Sequence, residues 1–309
     1  MDRINDIVSE VLERNPNRVF VQIPEGLRTR LTELQDRLEE EGIGSIASLE
    51  PCYGACDLKD IEARELGCDL LLHIGHTKFC EEEEVETLYF PWYYDRNPVP
   101  VLEEEREKLE EFKSIGLVAS ANFLPSLEDA KRYLESEGFE IHTASGERTE
   151  EGQVLGCDVS GALEVEDEIE CYLYIGSGKF HPLGLALRTE RPVLRFDFEQ
   201  GEIMELDTDL FERQRIAAVE KARGLEDFGI LLSTKKGQRR LELAEEIKGR
   251  LEDKGKSAYL FSMDEITPDK VEGTSVDCLV NTACPRVAME NRTNFKVPIL
   301  NPSELEQAL

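Results

Sequence analysis

The stretch Tyr53-Gly54-Ala55-Cys56-Asp57 decides how the rest of this chain is interpreted. Glycine favours a turn and aspartate favours a helix start, so the stretch predicts a cysteine at the head of a helix. We expect Gly54 to adopt a positive φ and Asp57 to cap a helix over residues 57–67. The N-terminus of that helix would favour the Cys56 thiolate. Cys157 and Cys284 also stand in loops, next to glycine and proline respectively.

Similar sets of strands and helices surround these cysteines, which indicates one structural unit repeated three times. The predicted strands are residues 18–23, 45–49 and 68–74 in the first copy, 115–119, 140–144 and 171–175 in the second, and a strand from 229 with 257–261 and 278–282 in the third. The repeat is not strict, because Cys56 and Cys157 follow the second strand of their copies whereas Cys284 follows the third.

Strands that alternate with helices favour parallel sheets covered on both faces. We therefore predict an α/β fold of three similar small α/β domains with mainly parallel sheets, over residues 1–100, 101–200 and 201–309. Ligands of such sheets gather beyond the carboxyl ends of the strands. A pseudo-threefold arrangement would let all three cysteines reach one central metal site.

Composition excludes several classes of function. The chain has 309 residues and a formal net charge of −30, which disfavours binding to nucleic acid phosphates. No apolar run approaches the about 20 residues of a membrane span, and the charged N-terminus is not a secretory signal. The sequence therefore predicts a cytoplasmic protein without membrane or nucleic-acid partners.

The chain contains eight cysteines, which in a reducing cytosol are expected as metal ligands, catalytic groups or buried small residues. Three of them begin apolar strands and are predicted to be core residues: Cys68, Cys171 and Cys278. Cys52 and Cys80 stay ambiguous. Three thiolates from distant loops suit a soft metal: zinc would want a fourth ligand, whereas an iron–sulfur cubane with three cysteines keeps one iron open. Three buried structural cysteines remain the alternative.

Polar loops after strands supply candidate ligand-binding residues. The segment Gly176–Pro182 includes Gly178, Lys179 and His181, and its backbone N–H groups could hold a carboxylate or phosphate. A tight turn with a surface lysine is the alternative. Gln238 ends a similar segment before a helix. Arg286 could pair bidentately with a carboxylate, or could form only a surface salt bridge.

Four motifs, Tyr53–Cys56, Leu155–Cys157, Gly178–His181 and Ala283–Arg286, together resemble the 2-(3-amino-3-carboxypropyl)histidine synthase family in its archaeal single-subunit form. These enzymes catalyse the first step of diphthamide biosynthesis, and the resemblance covers nearly the whole chain.

The resemblance implies a homodimer whose subunits each hold a [4Fe-4S] cluster through Cys56, Cys157 and Cys284, the catalytic and metal-binding residues. It implies S-adenosylmethionine as substrate, near Gly178–His181, Gln238 and Arg286, and an external electron donor. The family breaks the bond between sulfur and the aminocarboxypropyl group. The resulting radical adds to one histidine of translation elongation factor 2, with methylthioadenosine as by-product.

Two other hypotheses belong to different classes. One is an iron–sulfur synthase or dehydratase that resembles quinolinate synthase, in which the open iron acts as a Lewis acid without S-adenosylmethionine. The other is a non-enzymatic scaffold that a structural zinc ion stabilises. Metal analysis separates zinc from iron, and by-product analysis separates the two enzymes.

Overall fold

The computed structural model of the protein describes residues 3–309. The chain forms two compact units, Met1–Tyr94 and Asp95–Leu309. One four-stranded sheet lies in the first unit, and a five-stranded and a four-stranded sheet lie in the second. No helix in residues 3–309 is long and apolar enough to cross a membrane.

The first unit is a parallel sheet with helices on both faces. Its strands and helices are α1 (Arg3–Arg14), β1 (Arg18–Gln22), α2 (Leu31–Glu40), β2 (Gly44–Ala47), α3 (Asp60–Glu65), β3 (Leu70–Ile74) and β4 (Glu86–Phe90). The strand order is β2-β1-β3-β4, and every pair is parallel. Successive side chains on a strand point to opposite faces. Val19 and Val21 therefore pack with α1 and α2, whereas Phe20 and Leu71 pack on the α3 face.

The second unit opens with a five-stranded sheet. Its strands and helices are α4 (Val99–Glu104), β5 (Ser114–Ala119), α5 (Leu124–Ser136), β6 (Glu140–His142), α6 (Ser160–Glu164), β7 (Cys171–Ile175), α7 (Phe180–Ala186), β8 (Val193–Asp197) and β9 (Glu202–Glu205). The order is β6-β5-β7-β8-β9, and only the β8–β9 pair is antiparallel. Leu117 and Leu173 face α5, whereas Tyr172 and Tyr174 face α6 and α7.

A four-stranded parallel sheet completes the second unit. Its strands and helices are α8 (Asp209–Ala222), β10 (Asp227–Ser233), α9 (Leu241–Asp253), β11 (Ser257–Met263), α10 (Pro268–Val271), β12 (Cys278–Asn281), α11 (Arg286–Glu290), β13 (Ile299–Leu300) and α12 (Pro302–Ala308). The order is β11-β10-β12-β13. Ile230 and Val280 pack with α8, α9 and α12, and Leu231 and Leu279 pack on the α11 face.

All three sheets share one strand order. In each sheet the second strand along the chain pairs with the first, the first with the third, and the third with the fourth. The predicted α/β class with three mainly parallel sheets is confirmed. The fourth strands β4 and β13 and the antiparallel β9 were absent from the prediction, and the helix expected over 57–67 is the shorter α3.

Candidate metal centre

The eight cysteines fall into two groups. Cys56, Cys157 and Cys284 are half-buried in loops, whereas the other five are buried. Burial raises the pKa of Cys171 and of Cys278 to about 12, and it also raises the pKa of Cys68. Because metal ligands and nucleophiles are thiolates, these three core thiols are inert. Their prediction as core residues is confirmed.

The Cys56 loop is a tight turn held by backbone and thiol contacts. The Asp57 N–H donates to the Gly54 carbonyl at 3.0 Å, and the Cys80 thiol donates to the Ala55 carbonyl at 3.4 Å. Gly54 is not among the residues with positive φ, so that prediction is wrong. A Cβ at Gly54 would lie 3.5 Å from Cys56 Sγ, so a side chain there would cover the thiol.

Asp57 does not cap the helix that follows, which corrects a second prediction. Helix α3 begins only at Asp60, and its preceding residue, Lys59, makes no side-chain cap. The Lys59 Nζ instead lies 3.4 Å from Asp57 Oδ1, and both side chains are buried. Because Cys56 stands four residues before α3, the helix N-terminus does not explain a stabilised thiolate at Cys56.

Gln22, at the end of β1, holds this loop through two hydrogen bonds of its side-chain amide. Its Nε2 donates to the Asp57 carbonyl at 2.5 Å, and its Oε1 accepts the Lys59 N–H at 3.2 Å. Sequence reasoning missed Gln22, although a glutamine that ends an apolar strand is a visible signal. The Gln22 amide thus pairs with one backbone carbonyl and one backbone N–H of the loop.

The Cys157 loop depends on two glycines that allow close packing. The Leu155 N–H donates to the Asp158 carbonyl at 2.8 Å and closes the turn. A Cβ at Gly156 would lie 2.3 Å from the Phe180 ring, and a Cβ at Gly184 would lie 2.4 Å from the Gly156 carbonyl oxygen. The loop therefore rests directly on α7.

The Cys284 turn is organised by Asn281, the last residue of β12. Asn281 Nδ2 donates to the Cys284 carbonyl and to Asn301 Oδ1, both at 2.9 Å, and Asn281 Oδ1 accepts the Ala283 N–H at 3.3 Å. The side chain is 1% exposed, so water cannot replace these bonds. Sequence reasoning missed Asn281 because its partners depend on the sheet.

We expect Asn281→Asp to destabilise the second unit by about 1–3 kcal/mol and to speed the loss of bound iron. The substitution removes both hydrogen bonds that Asn281 Nδ2 donates. It also places a carboxylate oxygen, which cannot donate a hydrogen bond, opposite the Cys284 carbonyl oxygen. Chemical denaturation and the rate of iron release to a chelator measure the two effects. Asn291→Asp, at an exposed position, is the matched control. Equal iron retention in both variants would contradict a positioning role for Asn281.

A cleft of about 670 Å³ in the second unit brings two of the cysteine loops together. Cys157 lines it, as do Ala283 and Pro285, the residues on either side of Cys284. Arg188, Arg215 and Arg240 line it as well. Two carboxylates, Glu212 and Glu304, also line the cleft, and Arg215 pairs with Glu212 at 2.9 Å.

The residues predicted to bind the substrate lie at the starts of α7 and α11 and in a short turn after β10. Gly178 has φ +74° and lies just before α7, Lys179 precedes that helix, and the His181 ring stacks on Tyr174 at 6.4 Å. Arg286 begins α11, and its guanidinium carbon lies 5.3 Å from the centre of the Phe180 ring.

Arg286 thus stands beside α7, and it also forms an ion pair with Glu290. Gln238 is the last residue of the short turn Lys236–Gln238, which follows β10. Strand β10 pairs with β12, and the chain continues from β12 to Arg286.

Fold and loops together define a class: an α/β protein of three like-ordered, mainly parallel sheets with one half-buried loop cysteine after a strand of each. A family model described as a diphthamide synthesis protein matches residues 23–309. The chain belongs to this family, which confirms the resemblance seen in its motifs.

Individual relatives cover almost the whole chain. The sequence is 38% identical to 2-(3-amino-3-carboxypropyl)histidine synthase of Pyrococcus horikoshii, over 98% of this chain and 88% of that protein. It is 29% identical to the protein of the same name from Methanocaldococcus jannaschii, over 96% of this chain and 86% of that protein. The crystal structure of Dph2 from Pyrococcus horikoshii with a 4Fe-4S cluster matches with a TM-score of 0.93 and 37% identity, covering 98% of this chain and 89% of that chain.

Proposed function

We propose that this protein is a 2-(3-amino-3-carboxypropyl)histidine synthase. It transfers the 3-amino-3-carboxypropyl group of S-adenosylmethionine to a histidine of translation elongation factor 2, the first step of diphthamide biosynthesis. One observation carries the proposal: 38% identity to a protein of that name extends over 98% of the chain.

The donor set of the loops fits a [4Fe-4S] cluster. Cys56, Cys157 and Cys284 are soft ligands with partly exposed sulfur-bearing side chains, in contrast to the buried thiols of the strands. We assign these three thiolates as the cluster ligands, with one from each predicted domain, 1–100, 101–200 and 201–309. When bound through three cysteines, the cluster supplies an electron and an open iron position for the substrate.

The protein positions S-adenosylmethionine with the turns that flank α7 and α11. Arg286 presents a planar fork that matches a carboxylate, and it stands against Phe180 in the neighbouring helix. Gly178, Lys179, His181 and Gln238 complete the proposed binding residues. Holding the amino-acid end of the substrate decides which bond to sulfur faces the reactive group, because small displacements of reacting atoms cost large rate factors.

We expect Arg286→Ala to weaken S-adenosylmethionine binding about 10- to 100-fold, the usual value of a charge-assisted hydrogen bond. Anaerobic calorimetry measures the affinity, and iron analysis should show an intact cluster. Glu290→Gln is the matched control, because it removes the ion-pair partner of Arg286 and leaves the guanidinium in place. Its affinity should be equal or higher. Unchanged affinity in Arg286→Ala would remove this residue from the site.

Several partners follow from the proposal. The protein substrate is elongation factor 2, a separate donor supplies electrons, and the enzyme acts as a homodimer in the cytoplasm, a compartment in which cysteines rarely form disulfides. Light scattering at the monomer mass in working salt would contradict the dimer.

The experiment that tests the function is anaerobic incubation with dithionite and S-adenosylmethionine, followed by identification of the small product. Methylthioadenosine is the expected product. Formation of 5′-deoxyadenosine would contradict the proposed bond choice.

A further inference from the structure

A group of three metal-ligating side chains in the first unit has no part in the proposed reaction. Cys52, His73 and His76 each offer one ligand atom, and these atoms lie within 4.8 Å of one another. Cys52 and His73 are buried, and His76 is half-buried. Two imidazoles and a thiol at this spacing match the ligand types of zinc sites.

The sheet itself brings the three residues to one edge. Strands β2, β1 and β3 are neighbours and parallel, so their carboxyl ends lie side by side. Cys52 follows β2, and His73 lies near the end of β3. Gly75 then adopts φ +100°, and a Cβ there would lie 2.7 Å from the Pro24 ring. Only glycine permits this bend, which returns His76 toward His73.

Gln22 determines which nitrogen of His73 is available. Gln22 Oε1 accepts the Lys59 N–H, so the oxygen of this amide is the atom 2.9 Å from His73 Nδ1. An acceptor there requires the proton on Nδ1, which leaves the lone pair of His73 on Nε2. Fixing the tautomer of a ligand histidine through its other nitrogen is the usual role of residues that surround a metal site.

The available nitrogen faces His76 at a distance that suits a shared cation. His73 Nε2 lies 3.1 Å from His76 Nδ1. Two nitrogens at 2.0–2.1 Å from a tetrahedral zinc are about 3.3 Å apart. A shift of a few tenths of an ångström therefore converts this contact into a pair of metal bonds.

Two further groups lie beside the His73 ring. Gln22 is an uncharged neighbour at 2.9 Å, and the centre of the Tyr89 ring lies 5.7 Å from the centre of the His73 ring.

We propose that Cys52, His73 and His76 form a second metal site, separate from the iron–sulfur ligands, that takes a soft divalent cation such as Zn²⁺. Three protein ligands leave the fourth position for water or for a substrate atom. The proposal does not depend on the proposed function, since it concerns the first unit alone.

The test measures zinc and iron in the anaerobically purified full chain after equilibration with buffered Zn²⁺. We expect about one zinc per chain, reduced at least about tenfold in Cys52→Ser and in His76→Gln, with iron unchanged. His76→Gln keeps a polar side chain at a half-buried position, so folding should survive, and circular dichroism checks this. Cys80→Ser, another buried cysteine of the first unit, and His142→Gln are controls that should keep zinc.

Two results would overturn the proposal. Equal zinc in His76→Gln and the controls would leave only a histidine–histidine hydrogen bond. Iron loss in Cys52→Ser with constant zinc would instead assign this thiol to the cluster.

A cobalt measurement tests the thiolate directly. With Cys56, Cys157 and Cys284 changed to serine, the iron colour is gone and bound Co²⁺ is visible. We expect the absorption of a thiolate-bound tetrahedral ion, lost when Cys52→Ser is added. Absence of that absorption in the parent variant would contradict the site.

Discussion

Replacing Cys157 by alanine is expected to strip the iron and the brown colour from the protein, and Cys56→Ala and Cys284→Ala are expected to do the same. Each residue supplies one of three cluster ligands, and two thiolates do not hold a cubane that normally has three or four. Iron and sulfide analysis after anaerobic purification measures the loss, and transfer activity should fall to background.

The matched controls are cysteines that sit in strands or at their starts. Cys68→Ala and Cys278→Ala remove thiols that are 4% and 0% exposed and whose pKa values are raised by burial. Both variants should keep iron and colour, with only the modest destabilisation of a small cavity. Full iron content in Cys157→Ala would contradict the assignment of the ligands.

Glu304→Ala is expected to destabilise the second unit by about 3–5 kcal/mol, because it leaves the buried Arg292 guanidinium without its counter-charge. The side chains of Arg292 and Glu304 are both 5% exposed. Glu304 Oε2 also accepts the Asn301 N–H at 2.7 Å in the capping box of α12. Since Asn301 accepts from Asn281, the loss reaches the Cys284 turn.

Chemical denaturation of the second unit measures this effect, and Glu306→Ala is the control. Glu306 pairs with Arg250 at 3.1 Å, but its side chain is 60% exposed, so its removal should cost at most about 1 kcal/mol. Similar costs for the two variants would show that the Arg292–Glu304 pair does not stabilise the fold.

The central strands could be predicted because their sequences are short apolar runs. Strands β3, β7 and β12 are buried throughout, and such runs between helices are typical of parallel sheets. The missed strands β4 and β9 contain exposed or half-buried acidic residues, Glu86 among them, and their pairing depends on the sheet they join. Their sequences alone do not specify that partner.

Some features of the candidate site could be predicted from the sequence, and others could not. The split between loop and core cysteines followed from their positions relative to strands, and the burial of Cys68, Cys171 and Cys278 agrees with it. Asp57 was wrongly interpreted as a helix cap, because its side chain makes a buried contact with Lys59 instead. Gly54 was wrongly expected to have a positive φ.

Gln22 and Asn281 could not be assigned roles from the sequence. Their partners lie in loops that only the sheet order brings near: Gln22 meets the Asp57 carbonyl, and Asn281 meets Asn301. A hydrogen bond over such separations is a property of the tertiary fold.

The central claim is aminocarboxypropyl transfer, and mass spectrometry of elongation factor 2 tests it most directly. The reduced protein is incubated anaerobically with S-adenosylmethionine and the factor, and Cys157→Ala serves as the inactive control. We expect that one histidine of the factor gains an aminocarboxypropyl group and that methylthioadenosine forms in equal amount. An unmodified factor with 5′-deoxyadenosine as product, or with turnover of a dehydration substrate instead, would contradict it.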